Sequence, residues 1–174
     1  MYVYSFTNNV CGSKRSPTTL QAVRVMRDQP SGGHMFLMDG AGADGNATPR
    51  FAAYGATKRS LEQLSKSLAA ELRMLDIQRV GVHNLSPGMV TTELLMAGAN
   101  TPTAKFFINC LAEPAEEVAQ FLVPRVRRVP QESKALGGGI SPQYIRFLTP
   151  VKAYSQIAAR LVLGQRKGRY VEES

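Results

Sequence analysis

Two short apolar runs bounded by glycine and proline constrain the fold of this chain more than any other feature. They are HMFLMD at 34–39 and RVGVHNL at 79–85, and the segment between them, from about Tyr54 to Leu75, repeats leucine at helical spacing. Runs of this length with such flanks are typical of strands buried on both faces of a sheet. The order strand, helix, strand predicts a βαβ unit with parallel strands, whose ligands lie outside the carboxyl ends of the strands.

The rest of the chain continues the same alternation. Helical periodicity predicts helices at 18–28, from Pro114 to about Pro124, and at 151–164, where Gly164 closes the last one. RKGRYV at 166–171 is a predicted edge strand, 91–114 a mostly apolar connection and 130–142 a loop. In the long central helix the predicted apolar stripe consists of Leu61, Leu64, Leu68, Leu72 and Leu75.

The composition is that of a globular domain with a basic surface. Hydrophobic residues make up 44% and charged residues 20%, and the net charge is +8. This excess suits an anionic partner: a phosphate-bearing cofactor, an anionic membrane surface or nucleic acid. A basic surface without such a partner is supported at least as well. Since no aromatic platform or groove-reading motif accompanies the charge, nucleic acid is the partner that we exclude.

The cysteines and the first residues of the chain limit the class of protein further. Cys11 and Cys110 lie far apart, and no Cys/His cluster predicts a metal site, so we expect free thiols. The first 27 residues contain no Asp or Glu and are rich in Ser, Thr and Asn. Their composition is that of a transit peptide. The favoured interpretation is the start of an incomplete chain, because a predicted helix follows closely.

Tyr54 and Lys58 form the one pair of residues whose chemistry points to catalysis. At i and i+4 they are neighbours on one face of a helix, directly after a buried strand and the loop GAGADG. An ammonium beside a phenol favours the phenolate and lowers the phenol pKa. A tyrosine tuned in this way can donate a proton to a carbonyl oxygen as hydride reaches the carbon. The spacing alone also fits a solvated lysine beside a half-buried tyrosine.

Three motifs together resemble the short-chain dehydrogenase/reductase superfamily: YGATK at 54–58, NLSPGMVTT at 84–92 and EPAEEVA at 113–119. The resemblance implies a Rossmann-like parallel sheet and a cofactor, NADPH or NADH. It also implies that Tyr54 is the proton donor and contacts the cofactor, and that Lys58 binds the nicotinamide ribose and lowers the tyrosine pKa. The residues that would frame the nicotinamide are Pro87, Gly88, Val90 and Thr92.

The sequence departs from the superfamily pattern in two places. No serine occurs between Ser31 and Ser60, and Ala43 stands where the carbonyl-polarising serine would be. Losing such a donor costs about 100- to 1,000-fold in rate. The glycine-rich turn that holds the cofactor pyrophosphate is not found either. We therefore predict a partial Rossmann-like α/β fold, a parallel sheet with flanking helices that lacks the N-terminal nucleotide-binding half. In it, 18–174 is the C-terminal portion of one reductase domain and 1–17 a poorly matched segment.

A closer resemblance adds a substrate. The stretches FFINCLAEP and KAYSQI, together with FLMDGAGADGNATPRFAAYGATKRSLEQL, resemble the plant and algal chlorophyll(ide) b reductases of the non-yellow-coloring-one-like type. This family reduces the 7-formyl group of chlorophyll b to 7-hydroxymethyl in chlorophyll breakdown. The resemblance therefore implies an oxidoreductase in the chloroplast that acts on chlorophyll b or chlorophyllide b. It would associate with the thylakoid membrane and form an oligomer with itself or with a related reductase.

Several alternatives stay open from sequence. The chain is either an active reductase of this type, a truncated non-catalytic partner or fragment, or a reductase of another lipophilic carbonyl. The apolar residues at 94–96 and 106–108 either line a large apolar substrate or pack in the core. The helix at 151–164, with the basic residues Arg160, Arg166, Lys167 and Arg169 in and after it, either lies on an anionic membrane or packs on the sheet.

Overall fold

The computed structural model describes residues 2–4, 17–134 and 138–173. The chain divides into two compact units. The first contains Met1–Ser86 and Val126–Ile145, and the second contains Pro87–Arg125 and Arg146–Ser174. The elements, in chain order, are β1 (Tyr2–Tyr4), α1 (Pro17–Asp28), β2 (Gly33–Met38), α2 (Ala52–Met74), β3 (Val80–Ser86), α3 (Glu93–Ala97), α4 (Pro102–Leu111), α5 (Ala115–Glu132), β4 (Tyr144–Arg146) and α6 (Pro150–Leu163).

The first unit is built on a four-stranded sheet in the order β1-β2-β3-β4. β1 pairs with β2 and β2 pairs with β3 in parallel, with Met35 opposite Val82 and Leu37 opposite Asn84. The core contains residues of α1, α2, β2 and β3: Ala22, Val23, Met26, Met35, Leu37, Leu68, Leu72, Val80 and Val82. Each of the larger side chains contributes roughly 1.5–3 kcal/mol by leaving water. The βαβ unit and the parallel sheet are as predicted.

Within that unit the predicted helices and strands lie close to their expected bounds. The bounds of α1, β2, α2 and β3 differ from the predicted ranges by at most two residues at either end. Leu61, Leu68 and Leu72 of the predicted stripe are buried, whereas Leu75 is 70% exposed. Leu75 follows the last residue of α2 as its C-cap, so the helical register no longer aims it at the sheet.

Three expectations about the second half of the chain are wrong. α5 continues through Pro124 to Glu132, because the buried residues Val118, Leu122, Val126 and Val129 recur on one helix face on both sides of the proline. Residues 166–171 form turns and bends rather than a strand, and the strand of this region is β4. The predicted connection at 91–114 contains α3 and α4.

The helices of the second unit begin with the same chemistry. Thr92, Thr101 and Thr149 each precede a helix, and each side chain accepts a hydrogen bond from the backbone N–H three residues later. Proline follows the last two threonines as the first residue of α4 and α6, where its missing N–H costs nothing. α6 ends as predicted at Gly164, which has a left-handed φ of 65°.

A buried polar network holds the C-terminal segment of this unit. The carboxylate of Glu113 accepts hydrogen bonds from Arg166 (2.5 Å) and Arg169 (3.0 Å), and Arg160 pairs with Glu173. The fully buried amide of Asn109 accepts the backbone N–H groups of Tyr170 and Val171. Most of the predicted basic cluster is therefore engaged in ion pairs, rather than presented as a bare cationic patch.

The two histidines of the first unit lie side by side on neighbouring strands. Nδ1 of His34 and Nε2 of His83 are 2.9 Å apart, and the backbone N–H of Gln143 donates to Nδ1 of His83 at 3.1 Å. His83 therefore carries its proton on Nε2 and donates it to His34. Burial first, and the neighbouring His34 second, lower the pKa of His83 to about 4, so the ring is neutral at pH 7. This pair serves packing in the sheet.

Two further sequence expectations concern cysteines and membrane spans. Cys110 is a buried free thiol, as expected, whereas Cys11 lies outside the described residues. Among the helices of the described ranges, none is both long enough and apolar enough to cross a bilayer.

Candidate active site

The first two turns of α2 bring Tyr54 and Lys58 to the carboxyl end of β2, the edge where a parallel sheet binds its ligands. Nζ of Lys58 donates to the carbonyl oxygen of Met38 at 3.2 Å, the last residue of the strand. Deeper in the helix, Ser65 accepts a hydrogen bond from the buried Asn84 amide on β3 at 2.7 Å. This bond fixes α2 on the sheet and so fixes the position of Tyr54 and Lys58, which together form the Tyr54–Lys58 dyad.

Gly40 is the residue that lies against the hydroxyl of Tyr54. A Cβ atom at position 40 would overlap the Tyr54 hydroxyl oxygen and would lie 3.2 Å from Cε of Lys58. A larger residue at this position would have to displace both side chains. Both side chains of the dyad thus contact the backbone of residues 38–40, Lys58 at Met38 and Tyr54 at Gly40.

The pKa of Tyr54 shifts in the direction opposite to the sequence expectation. Burial of the ring and then the negative charge of Asp39 raise the pKa of Tyr54 above its usual value. Burial lowers the pKa of Lys58, while Asp39 opposes that shift. Nζ of Lys58 lies 5.5 Å from the centre of the Tyr54 ring. In this arrangement the phenol is held protonated, which is the state that a proton donor needs.

Asp39 is buried near the dyad and is bound by a residue far away in sequence. Its carboxylate accepts a short hydrogen bond from the hydroxyl of Tyr144 on β4, and its backbone N–H donates to Leu85 on β3 at 2.9 Å. The sequence did not indicate the contact between Asp39 and Tyr144. No local pattern links two residues 105 positions apart; only the strand order does.

Ala43, expected in place of the missing serine, lies in the loop between β2 and α2. It is buried, and its carbonyl oxygen accepts a hydrogen bond from the guanidinium of Arg59 at 2.9 Å. In the same loop the Thr48 hydroxyl donates to the Phe51 carbonyl at 3.1 Å. These bonds tie the loop to the start of α2. The residue in contact with the Tyr54 hydroxyl is Gly40.

The predicted nicotinamide-framing residues all lie in the second unit, in the loop after β3. Gly88 has a left-handed φ of 71°, and a Cβ there would overlap Cβ of Leu148, so this position requires glycine. Val90 forms a parallel bridge with Glu113. The backbone N–H of Glu113 donates to Met89 at 3.0 Å, and that of Thr91 donates to Glu113 at 3.1 Å. The loop is therefore held by the same residue that binds Arg166 and Arg169.

Thr92 caps α3, where its hydroxyl oxygen accepts the backbone N–H of Leu95 at 3.3 Å. A hydroxyl that accepts one hydrogen bond still has a proton to donate. Its capping role is structural and does not conflict with the predicted contact to the cofactor. The structure brings Tyr54 and Lys58 together in the first unit, and it orders Pro87, Gly88, Val90 and Thr92 as one loop in the second.

Parallel strands, a Tyr-x-x-x-Lys dyad at the strand ends and a Pro-Gly loop after the next strand define a class of reductases. Residues 16–116 match the model of the family described as enoyl-(acyl carrier protein) reductase. The chain belongs to this family of short-chain dehydrogenases/reductases, which generally use NAD(P)H.

The similar proteins are all named as pigment reductases. The chain is 61% identical to chlorophyll(ide) b reductase NOL, chloroplastic, of Arabidopsis thaliana, over 88% of this chain and 42% of that protein. It is 59% identical to the protein of the same name from Oryza sativa subsp. japonica, over 88% of this chain and 43% of that protein. It is 41% identical to the probable chlorophyll(ide) b reductase NYC1, chloroplastic, of Oryza sativa subsp. japonica, over 89% of this chain and 28% of that protein. The chain thus spans less than half the length of the curated relatives that it matches.

Proposed function

We propose that this protein reduces the 7-formyl group of chlorophyll b or chlorophyllide b to a 7-hydroxymethyl group with NADPH or NADH, in the chloroplast. The observation that carries the proposal is the Tyr54–Lys58 dyad at the end of β2, in a chain that is 61% identical to a protein of that name. The reaction adds hydride to the formyl carbon and a proton to its oxygen, and it yields the alcohol and the oxidised cofactor.

Each residue of the dyad has a defined task in this reaction. The nicotinamide supplies the hydride when it is bound. The Tyr54 hydroxyl donates its proton to the carbonyl oxygen, and the ammonium of Lys58 stabilises the phenolate that is left. Lys58 and Tyr54 also offer an ammonium and a hydroxyl to the ribose hydroxyls. Since both side chains are only half-buried, they are accessible to a ligand of this kind.

A large apolar substrate suits an exposed apolar side chain in the first unit. Phe51, three residues before Tyr54, is 61% exposed. Apolar side chains left in water next to a reactive group mark a place where an apolar ligand docks. Ile108, by contrast, is 2% exposed, and it belongs to the packing of α4 rather than to a substrate wall.

The test is an assay of the full-length protein with NADPH and chlorophyllide b, with chlorophyllide a as the matched control because it has a methyl group at the same carbon. We expect the formyl pigment to be converted to the alcohol and the control to be unchanged. Turnover of small or other lipophilic aldehydes alone would instead support the broader carbonyl reductase. If NADPH titration gives no binding and no carbonyl is reduced, the protein is a non-catalytic partner.

We also propose that α6 attaches the protein to the thylakoid surface. α6 contains no buried residue, and five of its large apolar side chains are 66–79% exposed: Val151, Tyr154, Leu161, Val162 and Leu163. Val151, Tyr154, Leu161 and Val162 recur at helical spacing on one face. Because Arg160, Arg166 and Arg169 are engaged in ion pairs, the contact is mainly apolar.

Replacing Leu161 and Val162 together with serine is expected to weaken binding to vesicles of thylakoid lipids by about tenfold or more. Flotation on a density gradient measures the bound fraction. Met74→Ser is the control, because Met74 is 85% exposed on another helix. If lipid binding is unchanged but the molar mass by light scattering falls, the face binds a second copy or a related reductase instead.

A further inference from the structure

The backbone segment 38–40 carries the dyad, and Asp39 is the residue at its centre. Lys58 binds the carbonyl oxygen of Met38, and the Tyr54 hydroxyl lies on Gly40. A shift of this segment would change the contacts of both reactive groups at once. The hydrogen bonds of Asp39 therefore influence the positions of Tyr54 and Lys58 for proton transfer.

Asp39 is held from two neighbouring strands. Its backbone N–H donates to Leu85 on β3, and its carboxylate accepts the hydroxyl proton of Tyr144 on β4. A hydrogen bond to a carboxylate is roughly twice as strong as one between neutral groups. We propose that Asp39, bound by Tyr144, is a positioning residue of the reductase site, which fixes the backbone that Tyr54 and Lys58 rest on. The proposal rests on the function proposed above.

Besides positioning the backbone, Asp39 acts through its charge on the pKa values of Tyr54 and Lys58. An uncharged packing residue would not have this effect. The carboxylate raises the pKa of Tyr54 and counteracts the effect of burial on the pKa of Lys58. The ionisable side chains of this cluster are Asp39 itself, Tyr54 and Lys58 from α2 and Tyr144 from β4; His83 on β3 is neutral above pH about 4. A negative charge at position 39 thus extends the pH range in which the phenol is protonated and the amine is charged.

The test is the pH profile of kcat/KM for the formyl pigment in the full-length protein. At high pH kcat/KM falls as Tyr54 and Lys58 lose their protons, and this fall is the alkaline limb of the profile. Asp39→Asn removes the charge, so the alkaline limb is expected to move to lower pH by about one unit. Tyr144→Phe keeps the charge but removes the donor that disperses it, so the limb moves to higher pH. Both variants lower kcat by about 10- to 100-fold, because the dyad is displaced. Asp44→Asn is the control, since Asp44 lies exposed in the same loop.

The outcomes separate this proposal from the function on which it rests. If the wild-type protein does not reduce the pigment, the function fails. If it does, and the alkaline limb of Tyr144→Phe and Asp39→Asn stays where the wild type has it, the positioning proposal is wrong. If Asp39→Asn does not fold, Tyr144→Phe alone tests the proposal. A smaller fraction of folded protein lowers the measured rate but does not shift the alkaline limb of the pH profile.

Discussion

Replacing Tyr54 with phenylalanine is expected to lower kcat by about 10²- to 10⁴-fold, the usual contribution of a positioned proton donor. The variant loses only the hydroxyl that lies on Gly40, and the ring keeps its packing. Since hydride transfer to a carbonyl leaves an alkoxide unless a proton arrives with it, the loss falls on the chemical step. The dissociation constant of NADPH should change little.

Stopped-flow turnover of the formyl pigment measures kcat, and fluorescence titration measures cofactor affinity. Tyr154→Phe is the matched control: Tyr154 is 73% exposed on α6, and its variant should have wild-type kinetics. A wild-type kcat in Tyr54→Phe would show that Tyr54 is not the proton donor. A loss of NADPH binding in this variant would show that the hydroxyl serves the cofactor rather than the carbonyl.

Replacing Glu113 with glutamine is expected to lower the free energy of unfolding by about 3 kcal/mol, the lower end of what losing one member of a buried ion pair costs. Glu113 is 5% exposed and binds two guanidinium groups, which keep part of their solvent contact. The backbone of Glu113 also pairs with Met89 and Thr91. Loss of its charge should therefore loosen the loop at 87–92 and weaken cofactor binding as well.

Urea unfolding at several pH values measures this effect, with Glu116→Gln as the control, because Glu116 is exposed at the start of α5. Burial acts to raise the pKa of Glu113, but the hydrogen bonds from Arg169 and Arg166 outweigh it, so the pKa lies below its ordinary value of 4.5. The stabilisation is thus complete above pH 4.5 and is lost as the pH falls further. A stability gap between wild type and Glu113→Gln that does not shrink in acid would contradict this account.

The parts of the fold that sequence predicted are those specified within a few residues. The leucine repeat of α2, the apolar runs of β2 and β3 and the glycine after α6 each show in one window of the sequence. The Tyr54–Lys58 pair belongs to the same group, because a spacing of four places both residues on one helix face wherever the helix packs.

What sequence missed depends on contacts between distant residues. Proline predicts the end of a helix, but the buried face of α5 on both sides of Pro124 overrides that local preference. For the basic residues after α6 the sequence left open whether they face a membrane or end a helix packed on the sheet, because their partner Glu113 lies more than fifty positions earlier. The direction of the Tyr54 pKa shift was missed for the same reason, since burial and Asp39 outweigh the nearby ammonium.

The amide of Asn109 limits where other sequences can be fused to this protein. It binds the backbone of Tyr170 and Val171 as a neighbouring strand would, and it also donates to the Glu173 carboxylate. An affinity tag or fluorescent reporter must therefore begin after Glu173, preceded by a flexible spacer. Proteolysis before Glu173 would remove the partner of Arg160 and one hydrogen-bond acceptor of the Asn109 amide, and would therefore loosen this segment.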